Sequence, residues 1–95
     1  MESVSGVGVL DKAVTILQAV ARSPASLAEL MSRTGLPRAT VHRLGAALEL
    51  HGLLRRDGAG RYELGLGLVS LGRAAAERFP LVELARPVLD ELRTD

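Results

Sequence analysis

Arg38, His42 and Arg43 stand at helical spacing in the middle of the chain, and Arg55, Arg56 and Arg61 crowd a short turn signal a little further on. Guanidinium groups suit phosphate oxygens and the acceptor edge of guanine, so this pattern points to binding a polyanion rather than to covalent chemistry. From Arg22 to Arg61 seven arginines stand against Glu29, Glu49 and Asp57, a local excess of four positive charges. Residues 1–21 and 62–95 carry net −1 and −2, so the overall +1 hides a basic centre. Any one of these arginines also fits the plainer role of wetting a helix face; as a cluster they favour a polyanionic partner.

Other chemistry finds little support. No nucleophile, base and orienting group fall into a pattern, so no enzyme activity is expected. His42 and His51 are nine residues apart on one expected helix and point half a turn away from each other, which rules out a shared metal. His42 reads either as a groove or phosphate contact or as a half-buried spacer. Gly65-Leu66-Gly67-Leu68-Val69-Ser70 imitates a dinucleotide fingerprint, but Ser70 replaces its third glycine and no parallel strand follows. These glycines read instead as a strand-to-helix turn, and no cofactor is expected. Zero cysteines exclude disulfides and thiolate zinc sites. An aromatic content of 2%, Tyr62 and Phe79, is too low for the stacking platforms that hold single strands or RNA, which leaves duplex DNA.

The elements that must position these side chains follow from local signals. Ser26 and Glu29 form a capping box that starts a helix at Leu27, with Leu27, Leu30 and Met31 on its apolar side. Gly35 tolerates the left-handed cap that ends it, and Pro37 suits the first position of the next helix. That second helix should run to about His51 and stop at Gly52, with Val41, Leu44 and Leu48 inward and Ala39, His42, Arg43 and Ala46 on other faces. Two helices across a short glycine-containing turn make a helix-turn-helix. After Gly52, Asp57-Gly58-Ala59-Gly60 separates two short runs, the mark of a β-hairpin in which Leu53 and Tyr62 face the core and the arginines reach outward. A hairpin directly after such a helix is the wing of a winged helix; the same hairpin could also do no more than close a sheet.

Either side of this unit the chain is helical. Residues 1–8 form a small-residue arm without the basic groups a minor-groove arm needs. Across Val9 to Ala21, Leu10, Ala13, Val14, Leu17 and Ala21 form one apolar line and Val9, Ile16 and Val20 a second. A helix apolar on two sides is buried on two sides, by its own core or by a partner chain. The expectation carried forward is that Val9, Ile16 and Val20 meet a second copy. Ser23-Pro24-Ala25 ends this helix and is expected to form a short strand before the Ser26 cap. Residues 66–79 read as a further helix with Leu68, Leu71, Ala75 and Phe79 on one side, and Leu81 to about Arg93 as the last, kinked at Pro87. The domain division is therefore 1–8 arm, 9–79 winged helix-turn-helix and 80–95 linker helix, and the unterminated last helix suggests that more follows. Ninety-five residues with 47% apolar content suffice for one small folded domain. No apolar run approaches the length of a membrane span and no signal peptide is evident, so a soluble cytoplasmic protein is expected.

Four segments resemble the isocitrate lyase regulator (IclR) type of bacterial transcription factor: V-L-D-K-A-V-T-I-L from Val9, T-G-L-P-R-A-T-V-H-R-L from Thr34, R-Y-E-L-G from Arg61 and L-A-R-P-V-L-D-E-L from Leu84. The resemblance covers residues 7–95. It implies an N-terminal winged helix-turn-helix, a linker helix and a larger effector-binding domain that this chain lacks, working as dimers or tetramers on duplex DNA. By position, Arg38, Ala39, Thr40, His42 and Arg43 would face the groove or its phosphates. Ala39 stands where the family often has Ser, and Gly45 where it often has Leu, which implies one phosphate hydrogen bond fewer and a looser second helix. The competing function is a winged helix that docks proteins instead of DNA, since a fold does not fix a function.

Overall fold

A capped helix turning onto a second one is the centre of the molecule, as the Ser26–Gly52 stretch predicts. The computed structural model describes residues 6–79. Within them the elements are α1 (Gly8–Arg22), α2 (Leu27–Thr34), α3 (Arg38–Leu50), β1 (Leu54–Arg56), β2 (Tyr62–Leu64) and α4 (Leu66–Arg78). The helix expected over 81–93, with its Pro87 kink, and the first five residues of the arm lie outside the described residues. The described part is mostly helical with a two-stranded antiparallel hairpin, the expected winged helix-turn-helix class.

Local chemistry sets the helix ends. The Glu29 backbone N–H donates to Ser26 Oγ at 3.1 Å, and the Ser26 N–H donates to Glu29 Oε1 at 3.0 Å, closing the capping box. Gly35 is left-handed at φ 73° and its N–H donates to the Met31 carbonyl at 2.9 Å. Pro37 departs from expectation by one position. It has the helical φ of −63° but an extended ψ of 153°, so it is the N-cap and α3 begins at Arg38.

Ile16, Ala19 and Val20 of α1, Leu30 of α2, Leu36, Val41, Leu44 and Leu48 around α3, and Ala25, Leu54 and Tyr62 beside the hairpin form one buried core. This overturns part of the assembly expectation: Ile16 is 0% and Val20 3% exposed, so both belong to the domain's own interior and are closed to a second chain. Val9, seven residues before Ile16 on the same helical line, remains 65% exposed in the first turn of α1. The solvent side of α1 carries Val9, Leu10 and Val14, and α4 buries none of its residues, leaving Leu66, Val69, Leu71 and Phe79 exposed.

In the hairpin, Leu54 pairs with Leu64, Arg55 with Glu63 and Arg56 with Tyr62. Strand alternation then puts Leu54, Arg56, Tyr62 and Leu64 on one face, and Arg55 and Glu63 on the other. Leu54 takes the fully buried position, and Leu53, just before the strand, is half-buried and packed against the core as expected. Where a short strand was expected over Ser23–Ala25 there is a single-residue bridge: Ala25 exchanges two backbone hydrogen bonds with Tyr62 at 3.0 and 2.8 Å. The strand-to-helix turn follows: Gly67 N–H donates to the Gly52 carbonyl at 2.8 Å, and a Cβ at residue 67 would come within 2.7 Å of that same oxygen. Gly65 and Gly67 are thus a close backbone approach, not a phosphate cradle.

Candidate nucleic-acid interface

At 100° per residue, Arg38, His42, Ala46, Ala39 and Arg43 fan over an arc of about 140° on α3, opposite the line of Val41, Leu44, Gly45 and Leu48. The burial pattern agrees: the first group is exposed and the second buried. Thr40 falls at the margin of the arc and is half-buried, so it is the one expected α3 contact turned partly inward. The first turn of α3 contains no acid, and its N-cap Pro37 offers no side-chain acceptor. The free backbone N–H groups and the positive end of the helix dipole therefore stand beside Arg38.

Among the described residues the ion pairs are Arg33–Glu29, Arg55–Glu63, Arg56–Glu49 and Arg61–Asp57, so Arg38 and Arg43 have no acidic partner. The hairpin arginines are placed quite differently. Arg55 Nε lies 2.7 Å from Glu63 Oε1 on the outer face of the hairpin, and Arg61 Nε lies 3.0 Å from Asp57 Oδ2 at its tip. Asp57 Oδ1 also accepts the Ala59 and Arg61 backbone N–H groups at 2.8 and 2.9 Å. Those bonds, the Arg61 N–H foremost, hold the Asp57 carboxyl below its ordinary range.

Two residues change role against the sequence reading. Arg33, counted in the basic cluster, donates to the Ala19 and Ser23 carbonyls at 3.1 and 2.8 Å and to Ser23 Oγ at 3.0 Å. It caps the end of α1 from α2, so its charge is spent inside the fold. Arg56 is still exposed, but its guanidinium is engaged by its neighbours instead of standing free. On the core-facing side of β1 its guanidinium carbon lies 4.3 Å from the centre of the Tyr62 ring, Nη2 donates to Tyr62 Oη at 2.6 Å and Nε to Glu49 Oε1 at 3.2 Å.

Gly45 also differs from expectation. It leaves no gap in the packing: it is buried under Tyr62, and a Cβ there would lie 3.1–3.2 Å from the ring and its hydroxyl. A larger residue would have to displace the most deeply buried aromatic group of the domain. The signal in the sequence was a glycine on the apolar line of α3 together with a single tyrosine in a strand, but nothing local links the two.

Residues 9–58 match the model of the IclR helix-turn-helix domain, and the chain belongs to that family. The chain is 39% identical over 82 residues to the HTH-type transcriptional regulator KipR of Bacillus subtilis, covering 85% of this chain and 33% of that protein. Over 69 residues it is 35% identical to the probable HTH-type transcriptional regulator ArcR of Halobacterium salinarum, covering 73% of this chain and 26% of that protein. Among solved structures, an IclR transcriptional regulator from Silicibacter superposes with a TM-score of 0.75 at 32% identity, over 90% of this chain and 35% of its own. One from Brucella abortus superposes with a TM-score of 0.71 at 30% identity, over 92% of this chain and 34% of its own. The chain thus spans about a quarter to a third of the length of these relatives. It carries the helix-turn-helix of a family of transcriptional regulators, not of enzymes. No helix among the described residues is long and apolar enough to cross a membrane.

Proposed function

We propose that the chain is the sequence-specific, duplex-DNA-binding part of a ligand-responsive transcriptional regulator. In this reading α3 enters the major groove, with Arg38 and the uncapped first turn on phosphates and His42 and Arg43 towards base edges. Ala39 lets the groove wall approach closely, and Thr40 contacts the backbone from the margin. The hairpin lies on the sugar–phosphate backbone, where Arg55 and Arg61 exchange an internal acid for a phosphate. The observation that carries this is the unpaired Arg38, His42, Arg43 arc on α3, beside arginines that are otherwise engaged.

Residues 9–79 would be the DNA-binding unit and 80–95 a linker helix towards an effector-binding domain, through which alone a small molecule would act. Two copies reading a palindromic operator would supply the affinity that one winged helix lacks. The surface fitted to such pairing is the exposed Val9, Leu10 and Val14 of α1 with the uncovered side of α4. Work of this kind belongs in the cytoplasm and needs no cofactor. Binding to the duplex flanking the protein's own coding region, measured across a range of salt, tests the reading. Affinity should fall steeply with salt, by a slope of about 0.9 for each phosphate contacted, whereas a protein-docking winged helix would show no duplex binding.

A further inference from the structure

The seam between α3 and the hairpin forms a closed circuit of side chains. Tyr62, 1% exposed, lies on the α3 backbone at Gly45. Arg56 covers the other part of the ring, with its guanidinium carbon 4.3 Å from the ring centre, and donates to the Tyr62 hydroxyl. It then returns to α3 through Glu49, one helical turn beyond Gly45, at 3.2 Å. Arg56 and Tyr62 are also directly opposite in the hairpin register, so both strands are tied to α3 at one point.

From this circuit we infer that Arg56 is a positioning residue that fixes the angle between α3 and the hairpin and thereby sets sequence discrimination, and that it is not a phosphate contact. The inference rests on the DNA-binding reading above. Turning Arg56 out to a phosphate would leave the Glu49 carboxylate unpaired close to the DNA polyanion and remove the partner of a part-buried hydroxyl, so the exchange offers little gain. Phosphate contacts fix the register of a protein on the duplex, and base contacts depend on that register. If the hairpin tilts relative to α3, the two regions cannot both meet their best positions on the correct site. A nonspecific complex, which has no base contacts to lose, suffers less. The planar group is needed for this role: an ammonium in its place keeps the charge but cannot stack flat while donating along two directions.

The test uses Arg56→Met and Arg56→Lys in the 95-residue chain, with Glu49→Ala as a second opening of the circuit. Without DNA, NMR residual dipolar couplings and amide relaxation report the orientation and motion of residues 54–64 relative to 38–50. With DNA, the readouts are the ratio of affinities for an operator selected from random duplex and for a scrambled duplex, and the salt slope. All three variants should loosen or tilt the hairpin and lower the ratio about fivefold, equivalent to about 1 kcal/mol, and both Arg56 variants should keep the wild-type slope. A slope lowered by about 0.9 in Arg56→Met and restored in Arg56→Lys, at an unchanged ratio, makes Arg56 a phosphate contact and overturns the inference. Unaltered couplings in all three variants overturn it as well. Failure of the DNA reading is seen separately and earlier, in a wild-type chain that binds no duplex, and the discrimination role falls with it.

Discussion

Arg38 and Arg43 on α3 and Arg55, Arg56 and Arg61 on the hairpin are the same side chain put to opposite uses. On α3 both are unpaired among the described residues; on the hairpin each faces an acid. The difference lies in how the two elements are held. A helix satisfies its own backbone, and α3 is anchored by its buried line, so its outward side chains are spare. Strands of three residues have little ladder to hold them, and a two-stranded hairpin alone is marginal. Its cross-strand pair Arg55–Glu63, its tip pair Arg61–Asp57 and its Arg56 seam supply shape that the backbone cannot. A count of arginines along a sequence therefore overstates how many guanidinium groups are free to meet a partner, since several are engaged within the fold.

Ile16→Glu puts an unpaired charge in the interior and should cost upwards of about 3 kcal/mol, abolishing the circular dichroism of the fold, while Val9→Glu keeps that spectrum and weakens self-association in sedimentation. A folded Ile16→Glu chain would mean that the α1 core contact is wrong. Gly45→Leu comes next. The side chain must displace the Tyr62 ring, so denaturant unfolding should show a loss of about 1–3 kcal/mol, although leucine is the better helix former.

For the free cations, Arg43→Ala should cost about 1–3 kcal/mol in binding and relax preference at one base position per half-site, measured with a base-substitution series. An unchanged preference would move Arg43 to the phosphates. Arg38→Ala should lower the salt slope by about 0.9 at constant base preference. Arg55→Ala and Arg61→Ala should lower it by less, because each phosphate contact there competes with Glu63 or Asp57; equal losses at Arg38 and at the hairpin would erase the distinction between the two regions.

The smallest effect is on pH. Asp57 has its carboxyl pKa lowered from 3.8 by the tip hydrogen bonds, so its contribution to stability is complete above that value and is lost as pH falls through the lower folded value. In thermal melts Asp57→Asn should therefore be less stable than wild type at neutral pH, and the gap should narrow below about pH 3.8. A gap that is constant with pH would place the tip's stability in its glycines rather than in the carboxylate.

What could be read from the sequence was what lies within a few residues along the chain. Ser26 with Glu29, Gly35 with Met31 and the Asp57–Gly60 turn involve neighbours in sequence, and the structure places each as expected apart from the single step at Pro37. The outward arc of α3 followed from helical periodicity, and the winged-helix class from a hairpin signal directly after two capped helices, with the four family-like segments implying the same class. By contrast, α1 carried two apolar lines of similar strength, and only the packing of α2, α3 and β2 against it selected Ile16 and Val20 for the interior. Which arginines remained free was likewise decided in three dimensions, because Arg33 with Ala19 and Arg56 with Glu49 meet only once helices and hairpin have packed. Gly45 is the sharpest case. Its propensity argues against the middle of a helix, and its presence makes sense only when Tyr62, far along the chain, occupies the space that a side chain would have filled.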